Sequence, residues 1–208
     1  MQAINLKTEY LVNPIGIDIR SPRLFWHCAG GSRQTAYEIR ATDQDGNLVW
    51  ESGRVESNAM THITCGGEHL KSRDIISWQV RLWDENGQGG PWSEAASFEM
   101  GLLEPGDWEA RWITGDIRAR KRIRYPVDHF RKIFDCRGWP VRARLYATAC
   151  GIYEAAINGG KAGDFCLAPG FTDYRKRLQV QTTDVTRLIR PGKNEICFEL
   201  ADRKSTRL

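Results

Sequence analysis

The sequence predicts an all-β protein built as two consecutive β-sandwich domains. Three observations carry this. No segment sustains apolar residues at the 3.6-residue period of an amphipathic helix. Short runs of alternating polarity, each bounded by turn residues, recur along the 208 residues. The runs fall into two groups, parted at Leu103-Glu104-Pro105-Gly106, where proline and glycine punctuate the chain. The length suits two ordinary domains. The expected division is residues 1–104, residues 105–201, and a non-native tail over 202–208.

In the first half, Ala36-Tyr37-Glu38-Ile39-Arg40 alternates around Tyr37 and Ile39. Asp45-Gly46 lies within a hairpin turn, Asp43–Asn47. Leu48-Val49-Trp50 starts the return strand, and Ser52-Gly53 is expected to end it. From Ile76 to Trp83, Ile76, Trp78, Val80 and Leu82 point one way, and Ser77, Gln79, Arg81 and Trp83 the other. Asn86-Gly87 turns the chain again, and Trp92 to Met100 reads as one closing strand. The order of Pro22, Leu24, Trp26, Tyr37, Trp78 and Trp92-Ser93 resembles a fibronectin type III module, a sandwich that names a fold and no function. Trp26, Trp78 and Trp92 are expected where a small sandwich needs its core, and Trp83, on the opposite face of its strand from Trp78, is the ring expected to be exposed. Trp108 and Trp112 are expected to wedge the first edge of the second domain.

The second half repeats the logic. Arg144, Tyr146 and Thr148 alternate against Ala143, Leu145 and Ala147. Tyr153–Ile157 leads into the turn Asn158-Gly159-Gly160. Arg177–Thr183 reads as a strand, and Asp184–Ile189 as a short helical turn with Asp184 as its cap. Pro191-Gly192-Lys193-Asn194 stops that turn. Ile196, Phe198 and Leu200 line one face of a last strand.

Composition excludes several classes. The net charge of +4 comes from two local sources, the run Arg118, Arg120, Lys121, Arg122, Arg124 and the tail. The run lacks the interleaved aromatics of a single-strand groove, so it reads as a solvated loop and nucleic acid is not expected as a partner. No apolar run is long enough to span a bilayer, so no membrane partner is expected. Met1–Tyr10 has no apolar signal core, which points to a cytoplasmic protein. The six cysteines form no CxxC pair and are expected as free thiols in a reducing compartment. His62-x-x-Cys65-x-x-x-His69 gathers three metal-ligand types without an evident fourth, so no metal is expected. Gly30-Gly31 and Gly66-Gly67 lack the strand-loop-helix context of a phosphate cradle, and no cofactor is expected.

The residues then resemble a named family. Glu9–Asp18 (Glu-Tyr-Leu-Val-Asn-Pro-Ile-Gly-Ile-Asp), Ser21–Trp26, Arg33–Tyr37, Trp50–Gly53, Leu70–Arg73 and Trp78–Asp84 are similar to the opening of bacterial α-L-rhamnosidases. In the second half, Gly151–Glu154, Ile157-Asn158-Gly159, Leu167–Arg177 (Leu-Ala-Pro-Gly-Phe-Thr-Asp-Tyr-Arg-Lys-Arg), Asp184-Val185-Thr186 and Pro191–Asn194 look like that family's second domain. The resemblance implies a fibronectin-like domain followed by a jelly-roll-like, sugar-binding-type sandwich, expected to be incomplete. It also implies an inverting hydrolase of terminal α-L-rhamnose, acting on rhamnose-containing glycosides. Its two catalytic carboxylates would stand in a downstream helical domain that these residues do not reach. No catalytic residue is therefore assigned. After Leu200 the sequence departs from the family, and Asp202–Leu208 reads as an assembly artefact.

Asp173, Tyr174 and Arg177 are the candidate substrate-binding residues. Asp173 either ties its loop by accepting backbone N–H bonds or touches sugar. Tyr174 and Arg177 form a structural stack or a fork for hydroxyls. Trp139, in Gly138-Trp139-Pro140, is core or exposed. The alternatives to an enzyme part are a stand-alone carbohydrate-binding module and a fibronectin-like protein-interaction module.

Overall fold

The computed structural model describes residues 1–66, 70–115 and 126–201. The basic run, His69, Gly67 and the 202–208 tail lie outside the described residues. The chain forms two compact units, Met1–Glu109 and Ala110–Leu208. Pro105–Asp107 is a 3-10 turn held by the first unit. The Asp107 carboxylate accepts from the Ser72 hydroxyl, and Glu104 pairs with Arg20.

The first unit is a sandwich. One sheet has the order β1 (Gln2–Thr8), β3 (Arg23–Ala29), β6 (Ile63–Thr64). The other runs β2 (Ile15–Ile17), β9 (Ala96–Met100), β7 (Ile75–Trp83), β4 (Ala36–Thr42), β5 (Leu48–Glu56), with β8 (Gly89–Trp92) also on β7. Alternation dictates what goes inside: Ile76, Trp78, Val80 and Leu82 of β7 are at most 1% exposed. With Leu24, Trp26, Ile39, Phe98 and Met100 they make one continuous core. Each such side chain contributes about 1.5–3 kcal/mol by leaving water. Both buried indoles keep a partner: Trp26 Nε1 donates to Gln34 Oε1 at 3.0 Å, and Trp78 Nε1 to Thr8 Oγ1 at 3.2 Å.

Four expectations for this unit need correction. Ser52-Gly53 does not end β5. The pairing slips between Ile39 and Arg40, Gly53 takes φ +59°, and Ser52 Oγ accepts the Ile39 N–H at 2.9 Å. This is a β-bulge, which needs the same residue types as a turn. Residues 92–100 are not one strand. Ser93 breaks them by pairing twice with Val80, its N–H donating to the carbonyl and its Oγ accepting the N–H at 3.1 Å. Trp92 is half-buried on the outer face, under the Arg40 guanidinium at 4.3 Å. Trp83 is only 9% exposed, because Arg54 and Arg81 lie over its ring at 4.9 Å and 5.1 Å. Long cationic side chains cover the outward rings that alternation alone would leave wet.

The second unit has a sheet ordered β10 (Asp128–Cys136), β15 (Gly192–Ala201), β12 (Ile152–Ile157), β13 (Gly160–Lys161), and a pair, β11 (Arg144–Ala147) with β14 (Gln181–Asp184). The strand β10 carries no alternating signal, since Ile133 on its outer face is 56% exposed. That outer face is a charged ladder of cross-strand pairs: His129–Glu199, Arg131–Glu195 and Glu154–Lys161. The inner face presents Phe134, Ile157, Ile196, Phe198 and Leu200 to two small apolar clusters. Arg177–Val180 is irregular, so the expected strand begins only at Gln181. Trp112 is 67% exposed, so it is not buried against an edge of its own unit among the described residues.

Candidate functional site

The candidate residues sit on a long connection between β13 and β14, and the chain fixes that connection at its middle. Ala168 and Pro169 are buried and joined by a cis peptide. The Tyr153 N–H of β12 donates to the Ala168 carbonyl at 2.7 Å, and the Gln181 amide donates to the Pro169 carbonyl at 2.8 Å. Burial pushes the Tyr153 hydroxyl up to about 12, so this anchor stays neutral. Gly170 has φ +112°, and a Cβ there would run into the Gln179 side chain. The angle is one that glycine alone adopts without strain, and a Cβ would also push the flexible Gln179 amide aside.

Beyond Gly170 the chain closes a tight turn. The N–H groups of Lys176 and Arg177 donate to the Asp173 carbonyl at 2.8 Å and 2.9 Å. The Thr172 hydroxyl donates to the Arg177 carbonyl at 2.6 Å. Asp173 Oδ1 accepts the Arg175 N–H at 3.2 Å and lies 3.4 Å from Arg175 Nε. The Tyr174 hydroxyl donates to the Gly151 carbonyl at 3.4 Å. The turn thus brings all three candidates together. Asp173 and Arg177 expose their side chains, and Tyr174 is half-buried. The cation beside Asp173 is Arg175, while Arg177 joins the turn through its backbone.

What this arrangement offers chemically is an exposed carboxylate and an exposed guanidinium on one hydrogen-bonded turn, in a connection that also carries exposed apolar side chains. Phe171 is 66% exposed, and Phe165 and Leu167 on the same connection are also largely exposed. Sequence reading did not single out these three. Their signal is negative: aromatic and aliphatic residues outside any alternating run. Trp139 is also exposed, at 76%.

The remaining candidates separate. Cys65 is 1% exposed within the first unit's core, where it acts as a small apolar side chain. His62 Nε2 is hydrogen-bonded to the Tyr10 hydroxyl at 2.6 Å. Among the described residues, no three His, Cys, Asp or Glu side chains are grouped to hold a metal. Among the described residues, no helix is long and apolar enough to cross a membrane. Asp184 ends β14 and is not the cap of the short helical turn, whose N-cap is Val185; its Oδ1 accepts from the Thr186 N–H and hydroxyl at 2.9 Å and 2.6 Å and lies 3.0 Å from Arg144 Nη1. Burial raises the Asp184 carboxyl, but these partners outweigh it and hold it below the usual carboxylate range.

Two family models match the chain: the Rha78A-like, N-terminal immunoglobulin domain over residues 3–104, and the α-L-rhamnosidase N-terminal domain over residues 139–204. An immunoglobulin domain shares the sandwich architecture of a fibronectin type III module. An α-L-rhamnosidase of Formosa agariphila is 34% identical over 93% of this chain, and one of Alteromonas sp. is 34% identical over 90%. The chain spans about a fifth of the length of either, 22%. The α-L-rhamnosidase structure from Dictyoglumus thermophilum aligns with 98% of this chain at a TM-score of 0.86 and 33% identity, using 25% of its own length. That from Aspergillus terreus aligns with 97% at 0.87 and 32%, using 24%. The chain belongs to the α-L-rhamnosidase family, of which it carries the N-terminal immunoglobulin-like domain and the N-terminal β-sandwich domain that follows.

Proposed function

We propose that this chain is the N-terminal accessory region of an enzyme that hydrolyses terminal α-L-rhamnose from glycosides. The observation that carries the reading is the order and extent of the match, two domains in sequence over nearly the whole chain. The hydrolysis is assigned to a part of the enzyme outside these 208 residues, because the chain spans only about a fifth of the length of its relatives, 22%. The region's own roles are scaffold and substrate recognition. Asp173, Tyr174 and Arg177 are its sugar-facing residues: the Arg177 guanidinium donates to hydroxyls, the Asp173 carboxylate accepts from them, and the Tyr174 bond to Gly151 fixes the turn. Its substrates are rhamnose-containing glycosides, and its protein partner is the catalytic domain of the same enzyme. Nucleic acid and membrane are not partners. Cys65, a thiol in the core, supports a cytoplasmic location.

A second reading, a stand-alone carbohydrate-binding module, draws on the exposed Phe171 ring in the same connection, since an aromatic face complements a pyranose. Two measurements on the purified chain decide. An aryl α-L-rhamnoside should not be hydrolysed above the buffer rate, and turnover would overturn the non-catalytic assignment. Calorimetry with methyl α-L-rhamnoside should give weak binding that Arg177→Ala abolishes. No binding, or binding indifferent to Arg177→Ala and Asp173→Ala, would remove these residues from the sugar site. Tight binding without a catalytic domain would favour the module.

A further inference from the structure

Away from the 168–177 turn, the fold places a thiol beside a primary amine. Lys161 ends β13, and its Nζ lies 3.6 Å from the Sγ of Cys166. Glu154 on β12 completes the group, with Oε1 3.7 Å from the same Nζ. The chain doubles back between the two residues, with Gly163 at φ +84°. Lys161 and Cys166 are both exposed, whereas Cys28, Cys65, Cys136 and Cys197 are buried or half-buried. A dissolved oxidant reaches an exposed thiol first. Cys150, the other exposed cysteine, serves as an internal control.

We propose that Lys161 and Cys166 become joined by an S–O–N bridge when the protein meets a hydroperoxide. Hydrogen peroxide oxidises the Cys166 thiol to the sulfenic acid and is reduced to water. The ammonium of Lys161 loses a proton to solvent, and a second peroxide oxidises the freed amine to the hydroxylamine, again yielding water. The hydroxylamine oxygen then attacks the sulfenyl sulfur. The new S–O bond forms as the S–OH bond breaks, and the departing hydroxide leaves as water with the hydroxylamine proton. One thiol, one amine and two peroxides thus give the bridge and three waters. A one-atom oxygen bridge spans more of the observed gap than a direct S–N bond and asks less movement of the backbone. A thiol reductant reopens it. The bridge pins the end of β13 to the residue just before Leu167-Ala168, so it restrains the approach to the 168–177 turn. It holds whether or not that turn binds sugar.

The test is mass spectrometry of the full chain after hydrogen peroxide, before and after a thiol reductant. The expected product gains one oxygen and loses two hydrogens, maps to the peptide Leu145–Arg175, resists trypsin after Lys161 and reverts on reduction. Cys166→Ser and Lys161→Arg should both abolish it; the arginine keeps the positive charge but removes the primary amine. The proposal fails if Cys166 yields only sulfinic and sulfonic acids. It fails equally if the product loses two hydrogens without gaining oxygen, as a direct S–N bond or a Cys150–Cys166 disulfide would, or if the bridge survives Lys161→Arg.

Discussion

The two units share an architecture and differ in how they fill it. Met1–Glu109 closes around Trp26, Trp78 and Phe98, each about 1% exposed, in one continuous core. Ala110–Leu208 divides its apolar contacts between two clusters whose fully buried members are mostly Ala, Val and Ile. Of the largest fully buried side chains, only Asn194 belongs to the second unit. Four of its rings, Phe165, Phe171, Trp112 and Trp139, face outward, while Tyr153 is buried against Phe198. A sandwich gains stability from the volume it closes over, because area removed from water sets the driving force. The first unit is therefore the self-sufficient one. The second keeps its order through polar anchors: Asn194, the Ala168-Pro169 tether and the Asp184–Thr186 bonds.

Substitutions that break these devices should separate the two units. The largest loss is expected from Trp78→Ala, which empties the middle of the first core and costs about 3–5 kcal/mol. In urea unfolding the first unit's transition should move down while the second's stays. Asn194→Ala comes next. Its side chain accepts the Arg190 N–H at 2.9 Å and donates to the Arg190 and Gly192 carbonyls at 2.7 Å and 2.9 Å. Asn158 Nδ2 donates to it at 2.7 Å. Stranding these buried groups should cost about 1–3 kcal/mol, seen only in the second transition. Gly170→Ala should cost about 1–2 kcal/mol, again in the second unit, with faster proteolysis between Leu167 and Arg177.

The smallest effect concerns acid. Asp184 is held below its unfolded value, so its stabilisation is present above the unfolded pKa. It is lost as the pH falls through the lower folded value, a window below about pH 4. The side chain is 56% exposed, and water screens much of the gain. Asp184→Asn should flatten the acid limb of the second unit's stability curve. A slope unchanged by the substitution would remove this carboxylate from the account.

Where side-chain alternation decides structure, residue order was enough. The Trp78 face of β7 and the Ile196, Phe198 and Leu200 face of β15 follow from period two and burial. So do the hairpin turns. At Asp43 and Asp84 the same device repeats, the aspartate Oδ1 accepting N–H groups two and four residues on at 2.8–2.9 Å. The failures share one cause: a partner distant in sequence changes what a residue does. Arginines from other positions cover Trp83 and Trp92. Ser93 acts as a strand breaker because it meets Val80, and Ser52 becomes a bulge because it meets Ile39. At the candidate site, the motif located the turn that joins Asp173, Tyr174 and Arg177. It left unread the anchors from Tyr153 and Gln181 and the exposed Phe165 and Phe171, which are matters of three-dimensional neighbourhood.

Native-state hydrogen exchange, followed by mass spectrometry across both units, tests the difference between them most directly. Amides of β4 and β7, around Trp78, should exchange only through opening of the whole first unit. Those of β10, β11 and β14 should exchange through smaller openings at a lower free energy, with β12 and β15 the slowest of the second unit. Equal protection in the two units, or a second unit that outlasts the first, would contradict the account.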